Sequence, residues 1–108
     1  MDIYKVDWAK RAKKELAGIR RYIAKQSTSP RAYMFVRSIE ITVETRLSSM
    51  PQKYRRVDDP MLAAMGLRRM NVKRYAVFFS IDEEEKSVKV ERVIHSKRDL
   101  INVLRGVT

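Results

Sequence analysis

The residues of this sequence best suited to chemistry are one histidine and three arginines in its C-terminal half. His95 is the only histidine, and histidine titrates near neutral pH, so it can serve as a general acid or base. Arg68, Arg74 and Arg98 can bind phosphate oxygens through paired hydrogen bonds. Such a set suits metal-free RNA cleavage, in which the 2′-hydroxyl attacks and the arginines stabilise the phosphorane. We therefore take these four residues as catalytic candidates.

Further basic residues are candidates for binding a substrate or an RNA strand. The sequence has 24 Lys and Arg against 13 Asp and Glu, a net charge of +11. Residues 1–56 carry 14 basic and 5 acidic side chains (+9), whereas residues 57–108 carry 10 and 8 (+2). This field attracts anionic partners, with nucleic acid or a nucleoprotein first and an acidic protein second. The binding candidates are Arg69, Lys73, Lys10, Lys13, Lys14 and Arg21.

Composition excludes several classes of site. The sequence has no cysteine, so it forms no disulfide and no thiolate metal site. The acidic run Asp82–Glu85 is interpreted as a solvated turn, and we expect neither a metal nor a cofactor. No apolar run reaches the length of a membrane span, and the N-terminus lacks a secretory signal pattern, so we expect a cytoplasmic protein. The length predicts one domain over residues 1–108.

The N-terminal half predicts a short strand and two helices. Ile3–Val6 alternates as a strand does, and Asp7 is a candidate N-cap for a helix that runs to about Gln26. Ser29 is a candidate N-cap for a second helix, with Pro30 at its first helical position, and this helix ends before Pro51. The apolar stripes of the two helices are Trp8, Ala12, Leu16, Ile19 and Ile23, then Ala32, Phe35, Val36, Ile39, Val43, Leu47 and Met50.

The C-terminal half predicts an antiparallel meander and a last helix. Residues 51–66 are interpreted as a loop with a short helical turn around Met61–Met65. The sequence then acquires the two-residue period of strands, and two short polar connections predict hairpins. The predicted elements are strands Leu67–Val72, Tyr75–Asp82 and Val88–His95 and a helix Arg98–Leu104, with Ser96 as a possible cap.

Strand parity predicts which face of the sheet the helices cover. The helix-facing set is Met70, Val72, Val77, Phe79, Ile81, Val88, Val90 and Ile94. Arg92 shares this parity, which favours a structural ion pair with Asp99 or Glu40. The opposite face is predicted to be half open to a partner, and it carries Arg69, Asn71, Lys73, Ala76, Phe78, Ser80, Lys89, Glu91, Val93 and His95.

The order of these elements resembles the RelE/ParE superfamily of toxins from toxin–antitoxin pairs. Residues 65–82 (MGLRRMNVKRYAVFFSID) are similar to the family's glycine–x–arginine approach to a strand pair. Residues 90–100 (VERVIHSKRDL) are similar to its closing strand, with arginine–x–x–histidine–x–x–arginine–aspartate. The resemblance covers nearly the whole chain. It implies an α+β fold in which a helical hairpin packs on an antiparallel sheet of about four strands, followed by a short C-terminal helix.

The resemblance implies a growth-arresting toxin that a cognate antitoxin neutralises, present as a monomer or as a toxin–antitoxin hetero-oligomer. RelE-like members cut mRNA on the ribosome, and the basicity of this sequence favours that target. RelE-like nucleases usually carry an arginine at the position of Tyr75, so either Arg74 substitutes from the neighbouring position or this protein is not a nuclease. ParE-like members instead block DNA gyrase without chemistry of their own, which is the alternative. A non-toxic nucleic-acid-binding module is a third hypothesis, supported by charge alone.

Overall fold

A pair of long helices and a four-stranded sheet form the framework of the computed structural model, which describes residues 2–106. The prediction of one domain over residues 1–108 stays a prediction, and Met1, Val107 and Thr108 lie outside the described range. Of the helices in that range, none has both the length and the apolar character needed to cross a membrane. The elements, in chain order, are β1 (Lys5–Trp8), α1 (Lys10–Gln26), α2 (Ser29–Leu47), a 3₁₀ turn (Pro51–Lys53), α3 (Pro60–Ala64), β2 (Arg68–Val72), β3 (Tyr75–Asp82), β4 (Ser87–His95) and α4 (Leu100–Arg105).

The sheet has the order β1-β4-β3-β2 and is mixed. Strands β2, β3 and β4 form the predicted antiparallel meander. Strand β1 joins the outer side of β4 in parallel, with Lys5 opposite Ser87 and Trp8 opposite Val90. The predicted α+β fold, with a helical hairpin on a sheet of four strands, is therefore confirmed, and its first strand is the one that is not antiparallel.

The first strand lies two residues later than the sequence predicts. Pairing with β4 extends β1 to Trp8, and the Ala9 N–H continues it by donating to the Val90 carbonyl at 2.9 Å. Asp7 is therefore a strand residue and not a helix cap. Trp8 lies at the end of β1, and its Nε1–H donates to Glu44 at 3.1 Å. Helix α1 begins after Ala9 without a side-chain cap.

Two other helix starts differ from prediction because a neighbouring residue supplies the cap. The Thr28 hydroxyl, not that of Ser29, accepts the Arg31 N–H at 3.2 Å and starts α2. Asp99 starts α4 by accepting the Asn102 N–H, so this helix begins at Leu100, two residues after the predicted start. The loop over residues 51–66 contains the predicted short helix, which is α3.

A β-bulge in β4 reverses the predicted orientation of two core residues. Phe79 pairs with Val90 but Phe78 pairs with Arg92, so Glu91 is an extra residue in the ladder. Beyond this point the parity of β4 is inverted. Val93 joins the core under the helical hairpin, and Ile94 joins the opposite cluster. The remaining helix-facing residues lie as predicted, with Ile81 at the margin of that core.

The middle of the opposite face of the sheet is covered, which corrects the prediction of a half-open surface there, whereas Asn71, Lys73 and Lys89 are exposed as predicted for that face. Ala76 and Phe78 are fully buried there, in a second apolar cluster with Ile94. The loop before β2 and the C-terminal helix supply the cover, through residues that include Val57, Leu62 and Val103. The middle of this face is therefore a second core and not a docking surface.

Asp59 joins the two helices that cover this second core. Its carboxylate accepts the Leu62 N–H at 3.1 Å, which caps α3, and it binds Arg105 of α4. The Leu62 hydrogen bond and then Arg105, acting against partial desolvation, lower the pKa of Asp59 below its usual value. A lowered pKa stabilises the fold at neutral pH, and this contribution is lost as the pH falls through the folded-state pKa.

We expect Asp59→Asn to reduce the loss of unfolding free energy that occurs as the pH is lowered. Wild-type stability, measured by urea unfolding from pH 7 to about pH 3, should fall more steeply than that of the variant. Asp58→Asn is the matched control, because Asp58 is an exposed neighbour without these contacts. Equal slopes for wild type and Asp59→Asn would contradict this assignment.

Candidate functional site

An open cleft of about 560 Å³ lies between α1 and the adjoining ends of β3 and β4. Three of the four catalytic candidates, Arg74, His95 and Arg98, line it. Its other lining residues are Glu15, Gly18, Ile19, Tyr22, Tyr75, Val93 and Ile94.

Main-chain hydrogen bonds bring Arg74, His95 and Arg98 together. Arg74 lies in the two-residue turn between β2 and β3, and its carbonyl accepts the Ser96 N–H at 2.9 Å. Lys73 precedes it with a left-handed φ of 55°, which closes that turn. The Arg98 N–H donates to the His95 carbonyl at 3.1 Å, so the chain folds back after β4. Residues separated in sequence therefore meet at one end of the sheet.

His95 is held by its strand partner and by a local hydrogen bond. It lies opposite Tyr75, and the two rings meet edge to face with centroids 5.3 Å apart. The Lys97 N–H donates to His95 Nδ1 at 3.2 Å. Because Nδ1 is an acceptor, a neutral imidazole in this position carries its proton on Nε2. Burial, and then the neighbouring Tyr22 phenol, raise the pKa of Tyr75, so this hydroxyl is a hydrogen-bond donor at neutral pH.

The cleft carries positive charge that the described residues do not neutralise. Within residues 2–106, neither Arg74 nor Arg98 has an ion pair or a side-chain hydrogen bond, and both are exposed. Glu15, the one acidic residue in the lining, is already committed to Arg92 and to the Val93 N–H, at 2.8 Å each. Arg92 therefore pairs with Glu15, and not with Asp99 or Glu40 as parity suggested. An anionic ligand suits this cleft.

The fourth catalytic candidate, Arg68, lies outside the cleft. It begins β2 opposite Phe79, whereas His95 lies opposite Tyr75 at the far end of β3. Its guanidinium donates to the main-chain carbonyls of Gln52 and Tyr54, at 3.2 and 2.7 Å. The structure thus gives Arg68 a local contact with the loop before α3.

The six binding candidates are divided among different surfaces. Arg69 donates to Asn71 at 3.0 Å, lies over the Phe78 ring at 6.0 Å, and lines a separate groove with Arg55 and Arg56. Lys73 lies 5.4 Å from the centroid of the Phe35 ring. The other four, Lys10, Lys13, Lys14 and Arg21, are exposed on α1.

The exposed residues of α1 and α2 form what we call the hairpin surface. All seven Lys and Arg of α1 are exposed, and four of them lie within its first five residues, where no acidic residue offsets them. The partial positive charge of a helix N-terminus disfavours cations at such positions. Large apolar side chains are also exposed on this surface: Tyr22 (65%), Tyr33 (57%), Met34 (69%) and Ile41 (50%).

Sequence reasoning missed Glu15, Gly18 and Tyr22 as residues of the cleft. Glu15 had a detectable signal, because it is the only acidic residue in the otherwise basic α1. Gly18 had one too, as the only glycine within a predicted helix. Tyr22 belongs to the stretch Arg21–Ala24, which is similar to the family's helix, but it was not predicted to be a site residue.

Comparison with solved structures shows a shared fold with toxins of several toxin–antitoxin systems. A chain of the chromosomal ParDE system of P. aeruginosa matches with a TM-score of 0.73 and 16% identity, over 88% of this chain and 98% of that one. A chain of the RelBE2 toxin–antitoxin complex of Mycobacterium tuberculosis matches with a TM-score of 0.66 and 20% identity, over 88% and 93%. The isolated E. coli RelE toxin matches with a TM-score of 0.52 and 16% identity, over 97% and 99%.

Sequence comparison assigns the family. A search among curated proteins found no significant match. The family model described as the ParE toxin of the type II toxin–antitoxin system parDE matches residues 6–100, which include all of β1 but its first residue, the helical hairpin, the meander and every residue of the cleft. The chain therefore belongs to the ParE toxin family of type II toxin–antitoxin systems.

Proposed function

We propose that this toxin arrests growth by binding and inhibiting DNA gyrase, acts in the cytoplasm, and performs no chemistry of its own. The family supports this proposal, because the match to ParE toxins extends over residues 6–100. It reverses the preference for a ribosomal target that basicity alone suggested. The change is justified because a net positive charge suits any anionic partner and does not distinguish an acidic protein from RNA.

The observation that carries the proposal is the composition of the hairpin surface. Four of its cations lie at the N-terminus of α1, which has no side-chain cap, and there they destabilise the helix of the free toxin. Exposed Tyr33 lies beside Arg20 and Arg21 in a groove near the α1–α2 turn. Aromatic and arginine side chains together are typical of the energetically important centre of a protein interface. The cost of the cations to the free helix, and the exposed aromatic side chain beside arginines, together support a role of this surface in binding a protein partner.

A second candidate function is mRNA cleavage, and the cleft is the observation that favours it. His95 and the Tyr75 hydroxyl offer groups for proton transfer, and Arg74 and Arg98 offer cations for the phosphorane. The candidate set is smaller than the sequence suggested, because Arg68 contacts main-chain carbonyls elsewhere. We rank this function below gyrase inhibition for that reason and because of the family match.

Purified toxin distinguishes the two functions directly. We expect it to block supercoiling of relaxed plasmid by gyrase and to leave mRNA intact in a reconstituted translation reaction. His95→Ala separates the candidates further, because only cleavage requires the imidazole. Lys97→Ala is the matched control for disturbance of the same turn. Intact gyrase activity, together with mRNA cleavage that His95→Ala abolishes and Lys97→Ala does not, would replace the first proposal by the second.

A further inference from the structure

A second groove, of about 570 Å³, lies on the face of the sheet that is turned away from the helical hairpin, and we call it the β2 groove. Phe78 of the second core lines it, and α4 borders it through Leu100 and Ile101. Its charged lining residues are four cations and one carboxylate, a balance of +3: Lys53, Arg55, Arg56, Arg69 and Asp58. Within residues 2–106, none of these four cations forms an ion pair. Unpaired cations gathered on one surface attract an anionic ligand.

Main-chain hydrogen bonds hold the loop that carries three of these cations beside β2. The Arg69 N–H donates to the Arg55 carbonyl at 3.1 Å, and Arg56 forms an antiparallel bridge with Arg68. The Arg68 guanidinium also donates to two main-chain carbonyls of the same loop, at 3.2 and 2.7 Å. Arg68 thus positions the loop. Because the cations are fixed before a ligand arrives, binding loses less conformational entropy.

The polar groups of the β2 groove form a row and not a single point. Arg69 and Asn71 lie two residues apart on β2, and such residues share a face of the sheet at a separation of about 6.6 Å. Arg69 Nε donates to Asn71 Oδ1 at 3.0 Å, and the Asn71 amide NH₂ is a further donor. Arg55 continues the row on the adjoining loop, and Lys53 precedes it by two residues. A row of donors suits a chain of phosphates better than it suits one carboxylate.

The aromatic rings of the β2 groove favour contact with a duplex backbone over contact with unpaired bases. Proteins that bind single strands use exposed aromatic faces, on which the bases stack. Phe78 offers no such face, because it is 1% exposed and Arg69 lies over its ring at 6.0 Å. The half-buried Tyr54 ring meets Phe79 edge to face and has Lys53 at 5.2 Å from its centroid. Both rings therefore support cations, and phosphate contacts need no stacking surface.

We propose that the β2 groove binds the phosphate backbone of the duplex DNA on which gyrase acts. The inference rests on the proposed function, in which the hairpin surface binds the enzyme itself. The helical hairpin and the β2 groove lie on opposite faces of the sheet, so one toxin molecule can contact the enzyme and its DNA at the same time. Contacts to phosphate carry no sequence information, so the groove accepts DNA of any sequence.

Fluorescence anisotropy of a labelled duplex of about 20 base pairs, titrated with the full-length toxin at several salt concentrations, tests the proposal. Lys53→Ala and Arg55→Ala should each lower the slope of log K against log salt by about 1, because each removes one phosphate contact. The matching loss of affinity is up to about eightfold at about 0.1 M salt. Lys89→Ala is the control, because it removes the same charge as Lys53→Ala from an exposed position outside the groove. Equal losses for Lys53→Ala and Lys89→Ala would show a general charge effect and overturn the assignment.

Two further outcomes would also overturn the assignment. Affinities that differ by more than about tenfold between two duplexes of unrelated sequence would show recognition of bases and not of the backbone. If Lys53→Ala and Arg55→Ala weakened binding of a single-stranded RNA of the same length and left the duplex affinity unchanged, the groove would be an RNA site. Both side chains are exposed, so the variants should keep the melting temperature of the wild type, which verifies that the fold is intact.

Supercoiling assays separate this inference from the proposed function. The double variant Lys53→Ala with Arg55→Ala should need at least about tenfold more toxin for the same inhibition, while its affinity for gyrase in the absence of DNA stays unchanged. A wild-type toxin that binds the duplex through the β2 groove but fails to inhibit gyrase would refute the proposed function and keep the groove as a DNA site. A wild-type toxin that inhibits gyrase, with no loss of duplex affinity in the variants, would do the reverse.

Discussion

We expect Glu15→Ala to lower the free energy of unfolding by about 3 kcal/mol, the usual loss when one partner of a buried ion pair is removed. Glu15 and Arg92 are largely buried, with side-chain exposures of 19% and 11%, and Glu15 accepts from both Nε and Nη2 of the arginine. It also accepts the Val93 N–H at 2.8 Å, next to the bulge in β4. The variant leaves a buried guanidinium and a main-chain donor without their acceptor, and both are costly.

Urea unfolding at pH 7 measures this loss, and the chain provides a matched control. Glu40 forms an exposed pair with Arg37 at 3.8 Å, with side-chain exposures of 31% and 48%. Glu40→Ala should cost less than about 0.5 kcal/mol, because exposed pairs contribute little. The double variant Glu15→Leu with Arg92→Met should recover much of the stability, since no buried charge then remains. Similar losses for Glu15→Ala and Glu40→Ala would show that the buried pair does not anchor α1 to the sheet.

The second large effect concerns activity. We expect the double variant Lys10→Glu with Lys13→Glu to be more stable than wild type and at least about tenfold weaker as a gyrase inhibitor. Acidic residues in the first turn complement the partial charge of the helix N-terminus, at about 0.3–1 kcal/mol each. The same reversal removes cations that attract an acidic partner. Melting temperature and supercoiling inhibition should therefore change in opposite directions.

Lys25→Glu is the control for this variant because it reverses a charge at the other end of α1, where a cation is favourable. It should lower the melting temperature and, with a smaller change in charge, reduce inhibition less. Measurements at 50 and about 200 mM salt separate steering from contact, since steering weakens with ionic strength. A stabilised double variant that inhibits gyrase as strongly as wild type would exclude the N-terminus of α1 from the interface.

Local patterns predicted most of the fold, and the errors arose where tertiary contacts decide. The 3.6-residue and two-residue periods located both long helices and the meander, because burial of one face sets those periods. They could not locate Glu91 as the bulged residue, since the bulge depends on pairing with β3. They also could not show that the far face of the sheet is covered, because this depends on where the loop before β2 and α4 fold back.

The residues of the cleft were less predictable from the sequence than the fold was. The residue types indicated His95, Arg74 and Arg98, and the turn after β4 brings them to one cleft. Arg68 looked equivalent in sequence, but its strand position places it four pairs away from the His95 end of β3. The contribution of α1 to the cleft was not predictable, because it depends on how the hairpin packs across the sheet. Sequence spacing alone does not show how the helical hairpin is oriented on the sheet.

The parallel pairing of β1 with β4 also determines when the toxin can complete its folding during synthesis. Lys5 pairs with Ser87 and Glu15 with Arg92, so the first elements to leave the ribosome cannot complete their contacts until β4, the last strand, has emerged. Pairings so distant along the chain form slowly, because a long loop must close before any contact offsets its entropy. A nascent chain therefore lacks its complete sheet, and the ion pair that joins α1 to the sheet, for most of its translation.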